Sequence, residues 1–230
     1  MNYQRFRPTS TNRMPPAVLN LIIFNVIMFV VKFFAETKLI DLDSMFSLHH
    51  PFSPNFHFYQ YITNMFMHAD LMHLLFNMLG LWVFGAMLEN AYGTKRFLIY
   101  YFICGIGASL IYQLWLSLWY YNMVQSSFTD VPGIIETLRL YPPIGFARGA
   151  SGCVYGLIMG AAMLFPNTEM NMMLVPIPIK LKWLAVILGG ASLMNGLRNE
   201  DNIAHFAHLG GMIFGFILVK IYSRSKTHFY

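Results

Sequence analysis

The sequence predicts an all-α fold: a polytopic membrane protein built as a bundle of six transmembrane helices. Three observations carry this expectation. Only 11% of the 230 residues are charged and 57% are hydrophobic, whereas an ordinary soluble domain carries about 25% charge. Six apolar segments punctuate the chain, and at about 20 residues per span that number suits its length. Lys and Arg cluster at alternate connections, as the positive-inside rule requires of a chain that crosses a bilayer repeatedly.

The first apolar segment covers about residues 17–34. It follows Arg5, Arg7 and Arg13 and lacks a small-residue cleavage site, so it reads as a retained span rather than a cleaved leader. A long connection of about residues 35–67, rich in Phe, Tyr, Pro and His, leads to the second segment at about 71–88. The third runs over about 97–120, and a second long connection covers about 122–147. The fourth segment is about 149–165, the fifth about 181–194 and the sixth about 203–222. The fourth and fifth are short for full spans. The expected organisation is a cytoplasmic tail at 1–16, one six-span domain at 17–222 and a second cytoplasmic tail at 223–230.

Charge gives the orientation. The N-terminal tail, the turn with Lys95 and Arg96, the turn with Lys180 and Lys182, and the tail with Lys220, Arg224 and Lys226 all fall on one side of a six-span chain. The other side has Lys38, Arg139, Arg148 and Arg198, diluted by Asp41, Asp43, Asp130, Glu136, Glu200 and Asp201. Both termini are therefore expected in the cytoplasm, with the two long connections outside. The net charge of +5 is dispersed over short connections with no basic helix, so the lipid bilayer and not nucleic acid is the expected partner. Cys104 and Cys153 both lie within apolar segments, which suits buried thiols and no disulfide framework.

Polar side chains inside spans are costly, so each one suggests a function. His73 and Asn77 lie in the second segment, Ser151 starts the fourth, and His208 lies in the sixth. In the six-span topology these three segments run from outside to inside, which places all four residues within about two turns of the outer end. His73 and Asn77, four residues apart, share a helix face, as do Ser151 and Tyr155. Gly152, Gly156 and Gly160 form one small-residue stripe, and Gly211 and Gly215 continue another below His208. Such stripes let membrane helices approach closely, so the fourth span is expected to pack on the sixth and bring Ser151 to His208.

A serine beside a histidine suggests acyl transfer. The hydroxyl is a weak nucleophile until a base removes its proton, and an imidazole can be that base near neutral pH. His73, Asn77 and the Ser151 backbone N–H are candidate donors to the oxyanion. No carboxylate shares this depth, so a dyad is expected. The soluble-hydrolase elbow G-x-S-x-G is not matched, because position 153 is Cys.

These residues resemble the rhomboid family of intramembrane serine proteases. Gly149-Ala150-Ser151-Gly152 is similar to the family's nucleophile motif, and Tyr155 matches the tyrosine that packs on the catalytic histidine. The stretch AHLGGMIFG, residues 207–215, resembles the sixth-span motif, with His208 as base and Gly211 and Gly215 at the close contact. HADLMHLLFN, with His68, His73 and Asn77, resembles the second-span motif, and Glu89 and Gly93 in ENAYG the motif after it. The resemblance covers about residues 17–222. It implies an intramembrane serine endopeptidase that cleaves membrane-anchored, transmembrane-helix protein substrates near the outer face, with no cofactor and no metal. It also implies a cap over the site at residues 198–202. One departure is that residues 35–67 contain neither Trp nor Arg, where many members carry a Trp-Arg pair. That loop must then be anchored by other means. The lack of added domains or targeting segments fits a bacterial cytoplasmic membrane by family analogy.

Taken singly, each feature has a plainer reading. A serine between glycines is most often a packing residue, and a lone intramembrane histidine is most often structural. His205, one turn before His208, is the rival base. His49, His50 and His57 lack a metal-ligand spacing and read as interfacial anchors, and Cys153 reads as packing. Glu89 reads as a hydrogen-bonding residue at the junction of the second and third spans. The rival functions are a catalytically inactive rhomboid-like protein that binds membrane clients, and a small transporter.

Overall fold

The computed structural model describes residues 14–125, 146–172, 175–198 and 204–224. Six long helices account for most of them: α1 (Pro16–Glu36), α4 (Leu71–Tyr92), α5 (Thr94–Gln125), α6 (Ser151–Leu164), α7 (Leu181–Arg198) and α8 (Ala204–Arg224). Two short helices, α2 (Leu42–Phe46) and α3 (Gln60–Thr63), lie in the first long connection. The helices α1, α4, α5 and α8 are each long and apolar enough to cross a membrane. Their outward side chains include Phe24, Ile27, Phe33, Leu75, Phe76, Ile213 and Phe216, all exposed. An apolar surface of this extent suits lipid, not water.

Helix α6 is the core. Its buried set runs Gly152, Cys153, Val154, Gly156, Leu157, Ile158, Gly160, Ala161 and Ala162. It packs against α4, α5, α7 and α8. At 14 residues it is about 21 Å long (about 14 × 1.5 Å), some 9 Å short of a hydrocarbon core of about 30 Å. Its beginning is approached by an extended segment, Phe146–Ala147, rather than by more helix. A π turn at Leu81–Gly85 interrupts α4 where it passes α6.

The glycine stripes pack differently from the simplest expectation. A Cβ on Gly211 would fall on the Gly152 carbonyl, and one on Gly215 would come within 2.7 Å of the Gly156 carbonyl. The glycines of α8 thus allow the close approach to α6. Gly152, Gly156 and Gly160 of α6 instead face α4 and α5 first, against Ala108, Cys104, Tyr100 and Leu88. Gly152 and Gly156 also meet α8. Small residues are needed on α6 because helices close on it from two sides.

Polar anchors hold the ends. Glu89 accepts from the N–H groups of Ala17 and Val18 at 3.1 and 2.9 Å and from Thr94 Oγ1 at 2.7 Å. Its carboxylate caps the orphan donors at the start of α1, where Pro16 opens the helix without an N–H to satisfy. Glu89 therefore joins three helices, not just the two expected. In the first long connection the buried Gln60 accepts from His49 N and His57 N and donates to Met45 O and Asn55 O. His49 and His50 are buried rather than interfacial. His49 bonds Ser44 O, and His50 bonds Ser117 Oγ at 2.8 Å.

The helices extend past the apolar segments: α5 reaches Gln125 and α7 reaches Arg198. Arg198 thus ends a helix, while residues 199–202 of the expected cap lie outside the described residues, as do Arg5, Arg7, Arg13, Lys226 and residues 126–145. The connections also hold two strand pairs that helical periodicity did not predict. β1 (Leu48–His49) pairs antiparallel with β2 (Phe146–Ala147). β3 (Glu169–Met172) pairs with β4 (Val175–Lys180) around a register shift. The β-branched Val175, Ile177 and Ile179 favour extended backbone, and a two-stranded hairpin tolerates Pro176 and Pro178 because both its strands are edges.

Candidate active site

Gly149 makes the turn into α6. Its φ of +120° lies where side chains are disfavoured, and a Cβ there would come within 2.7 Å of the His73 ring. Its N–H donates to Asn64 O at 2.8 Å. Ala150 then caps the helix, and Ser151 is the first helical residue. The first N–H groups of a helix have no intrahelical acceptor, so the serine sits among donors at the positive end of α6.

His208 reaches it from α8, with Nε2 3.0 Å from Ser151 Oγ. The Tyr155 ring, one turn along α6, stacks on the imidazole with centroids 4.1 Å apart and planes 5° from parallel. Among the described residues His208 Nδ1 has no hydrogen-bond partner. His205 lies edge-on, its ring centroid 5.9 Å from that of His208. The hydrogen bond to Ser151 Oγ is made by His208.

The second-span residues surround the turn. Asp70 caps α4 by accepting from His73 N at 2.9 Å, a bond that holds its carboxyl below the usual carboxylate range. His73 Nδ1 accepts from Ala69 N at 3.4 Å. The neutral ring then carries its proton on Nε2, the nitrogen facing Gly149. Asn77 is buried one turn deeper and donates to His73 O at 2.8 Å. His68 is fully buried, edge-on to His73, and its Nε2 accepts from Ala150 N at 3.5 Å. Burial pushes its imidazole down to about 3, so it is neutral.

A cavity of about 350 Å³ opens beside Ser151. Its lining includes Met65, His73, Ala108, Tyr112, Arg148 and Cys153. Cys104 and Cys153 are free, buried thiols. The serine hydroxyl can pass its proton to His208 Nε2 directly, and the turn presents N–H donors beside it. Two polar residues at this site do not stand out in the sequence as parts of it. Lys32 is buried on α1 and donates to His68 O, and Asn64 lines the cavity and donates to Gln60 O and to Ser109 Oγ. Lys32 stands out as a lysine within an apolar segment, but its bonds to Asp43 and to the His68 carbonyl come from the folded loop and not from helical spacing.

The Rhomboid domain family profile matches residues 55–225. Curated relatives agree. Rhomboid protease AarA of Providencia stuartii is 30% identical over 171 residues, which are 71% of this chain and 56% of that protein. RHOMBOID-like protein 12, mitochondrial, of Arabidopsis thaliana is 27% identical over 84% of this chain and 54% of its own length. Rhomboid protein 1, mitochondrial, of Saccharomyces cerevisiae is 28% identical over 67% of this chain and 39% of its own length. The chain spans about half the length, or less, of these relatives.

Proposed function

The chain belongs to the rhomboid family, and from that premise we propose that it is an intramembrane serine endopeptidase acting on membrane-anchored protein substrates through a Ser151–His208 dyad. The observation that carries the reading is the 3.0 Å contact between His208 Nε2 and Ser151 Oγ at the start of a short central helix. Ser151 Oγ bonds to the scissile carbonyl carbon as its proton passes to His208 Nε2. The oxyanion takes hydrogen bonds from the Ser151 backbone N–H and from His73 Nε2–H, with Asn77 fixing the His73 backbone. Collapse breaks the C–N bond, and His208 returns the proton to the leaving amine. Water, deprotonated by His208, then adds to the acyl carbon; collapse breaks the Ser151 Oγ–C bond, and His208 returns the proton to Oγ. Tyr155 holds the imidazole plane throughout.

Three further expectations belong to the same proposal: the six-span domain at 17–222 rests on the apolar segments, the cytoplasmic placement of both termini on charge, and a bacterial cytoplasmic membrane on family analogy. Reporter fusions at each terminus test the orientation.

A fluorophosphonate probe tests the activated serine. Labelling of the wild type, lost in Ser151→Ala and in His208→Ala, supports the dyad. Equal labelling of Ser151→Ala overturns it, and absent labelling favours a client-binding protein.

A further inference from the structure

Asp43, in the first turn of α2, receives two cations from two different elements. Lys32 Nζ of α1 lies 2.8 Å from Asp43 Oδ2, and the Arg148 guanidinium binds the same oxygen. Lys32 also donates to His68 O at 2.9 Å, and the half-exposed Glu36 stands 3.7 Å from its ammonium. The Lys32 side chain is 6% exposed and that of Asp43 14%. Arg148 also lies over the Phe146 ring at 5.0 Å.

Burying such charges has a large desolvation cost that pairing only partly offsets. A lysine inside an apolar helix adds to it. What the arrangement fixes is position. Arg148 directly precedes Gly149 and lines the cavity at Ser151. Lys32 holds the carbonyl of His68, whose ring meets Ala150 N and His73. The three charges therefore tie α1, the outer loop and both sides of the serine's approach to one carboxylate oxygen.

We propose that Lys32, Asp43 and Arg148 are positioning residues, a buried latch that sets the Phe146–Ala150 approach against His68 and His73 and so places the oxyanion donors. This inference rests on the protease reading for its catalytic consequence, but the latch itself has a readout that needs no catalysis.

The test combines cleavage kinetics on a tagged single-span substrate in proteoliposomes with hydrogen exchange of the full chain in micelles. Asp43→Asn is expected to lower kcat about tenfold or more while KM stays within about twofold, because misplacement by about 1 Å acts on the chemical step. Exchange should quicken together in Leu42–Phe46 and Phe146–Ala147. Lys32→Arg should be faster than Lys32→Met. The control Glu36→Gln, at the rim, should stay within about twofold of wild type. The triple variant Lys32→Met, Asp43→Leu, Arg148→Met removes the three latch charges, leaving only the half-exposed Glu36, and should keep the thermal midpoint yet stay slow. Wild-type kcat and exchange in Asp43→Asn would overturn the latch, as would recovery of kcat in the triple variant. If the wild type cleaves nothing, the protease reading fails. The exchange arm then decides alone: joint quickening of the two segments sustains the latch, and unchanged exchange removes it.

Discussion

The imidazole of His208 lies flat on the Tyr155 ring, 4.1 Å between centroids and 5° from parallel, while its Nε2 meets Ser151 Oγ at 3.0 Å. One helix thus supplies both the hydroxyl and the surface on which the imidazole rests. Tyr155→Phe keeps that surface and should retain most activity. Tyr155→Ala removes a stacked pair worth about 0.5–1.5 kcal/mol and should cost about tenfold in kcat, read in a steady-state cleavage assay.

The approach of α8 to α6 depends on two absent side chains. Gly211→Ala forces a methyl onto the Gly152 carbonyl, and Gly215→Ala onto that of Gly156. Overpacking of this kind costs about 1–3 kcal/mol, and a displacement of about 1 Å at His208 costs about 100-fold in rate. Gly190→Ala, where a Cβ meets nothing within 4 Å, should change neither the thermal midpoint nor the rate.

Glu89 acts far from the serine. Glu89→Ala leaves the first N–H groups of α1 unpaired, at about 1–3 kcal/mol. It should lower the thermal midpoint in detergent while leaving the rate near normal below that temperature. A rate loss without a stability loss would contradict the capping role.

Stability should fall on acidification. Burial pushes His50 down to about 4 and His68 down to about 3, below the 6.5 of an exposed histidine. Between those values the unfolded chain binds more protons than the folded one, so stability rises with pH. It should be fully present above about pH 6.5 and decline as pH falls toward 4 and then 3. His50→Gln should flatten the upper part of that decline in thermal melts taken from pH 4 to 7.5.

Much of this fold is legible in the sequence because the bilayer limits what can cross it. Apolar length predicts the helices, and the small-residue stripe predicts that α8 seats His208 near Ser151. The stripe does not say which neighbour each glycine meets: Gly160 faces Tyr100 and Leu88 rather than α8, since periodicity gives a face and not its partner. The hairpin of β3 and β4 escapes because helical spacing is the wrong period for it. The role of Asp43 escapes for another reason. Arg148 lies 105 residues from it along the chain and Lys32 on a different helix, and only the fold of the first long connection brings both to one oxygen.

The central claim is tested most directly by reconstituting the purified chain with a panel of tagged single-span substrates and mapping products by mass. The wild type should cut at least one substrate at one site near the outer end of its span. Ser151→Ala and His208→Ala, folded to the same thermal midpoint, should each be slower by about 10⁴-fold or more. Cleavage that survives in Ser151→Ala would contradict the account.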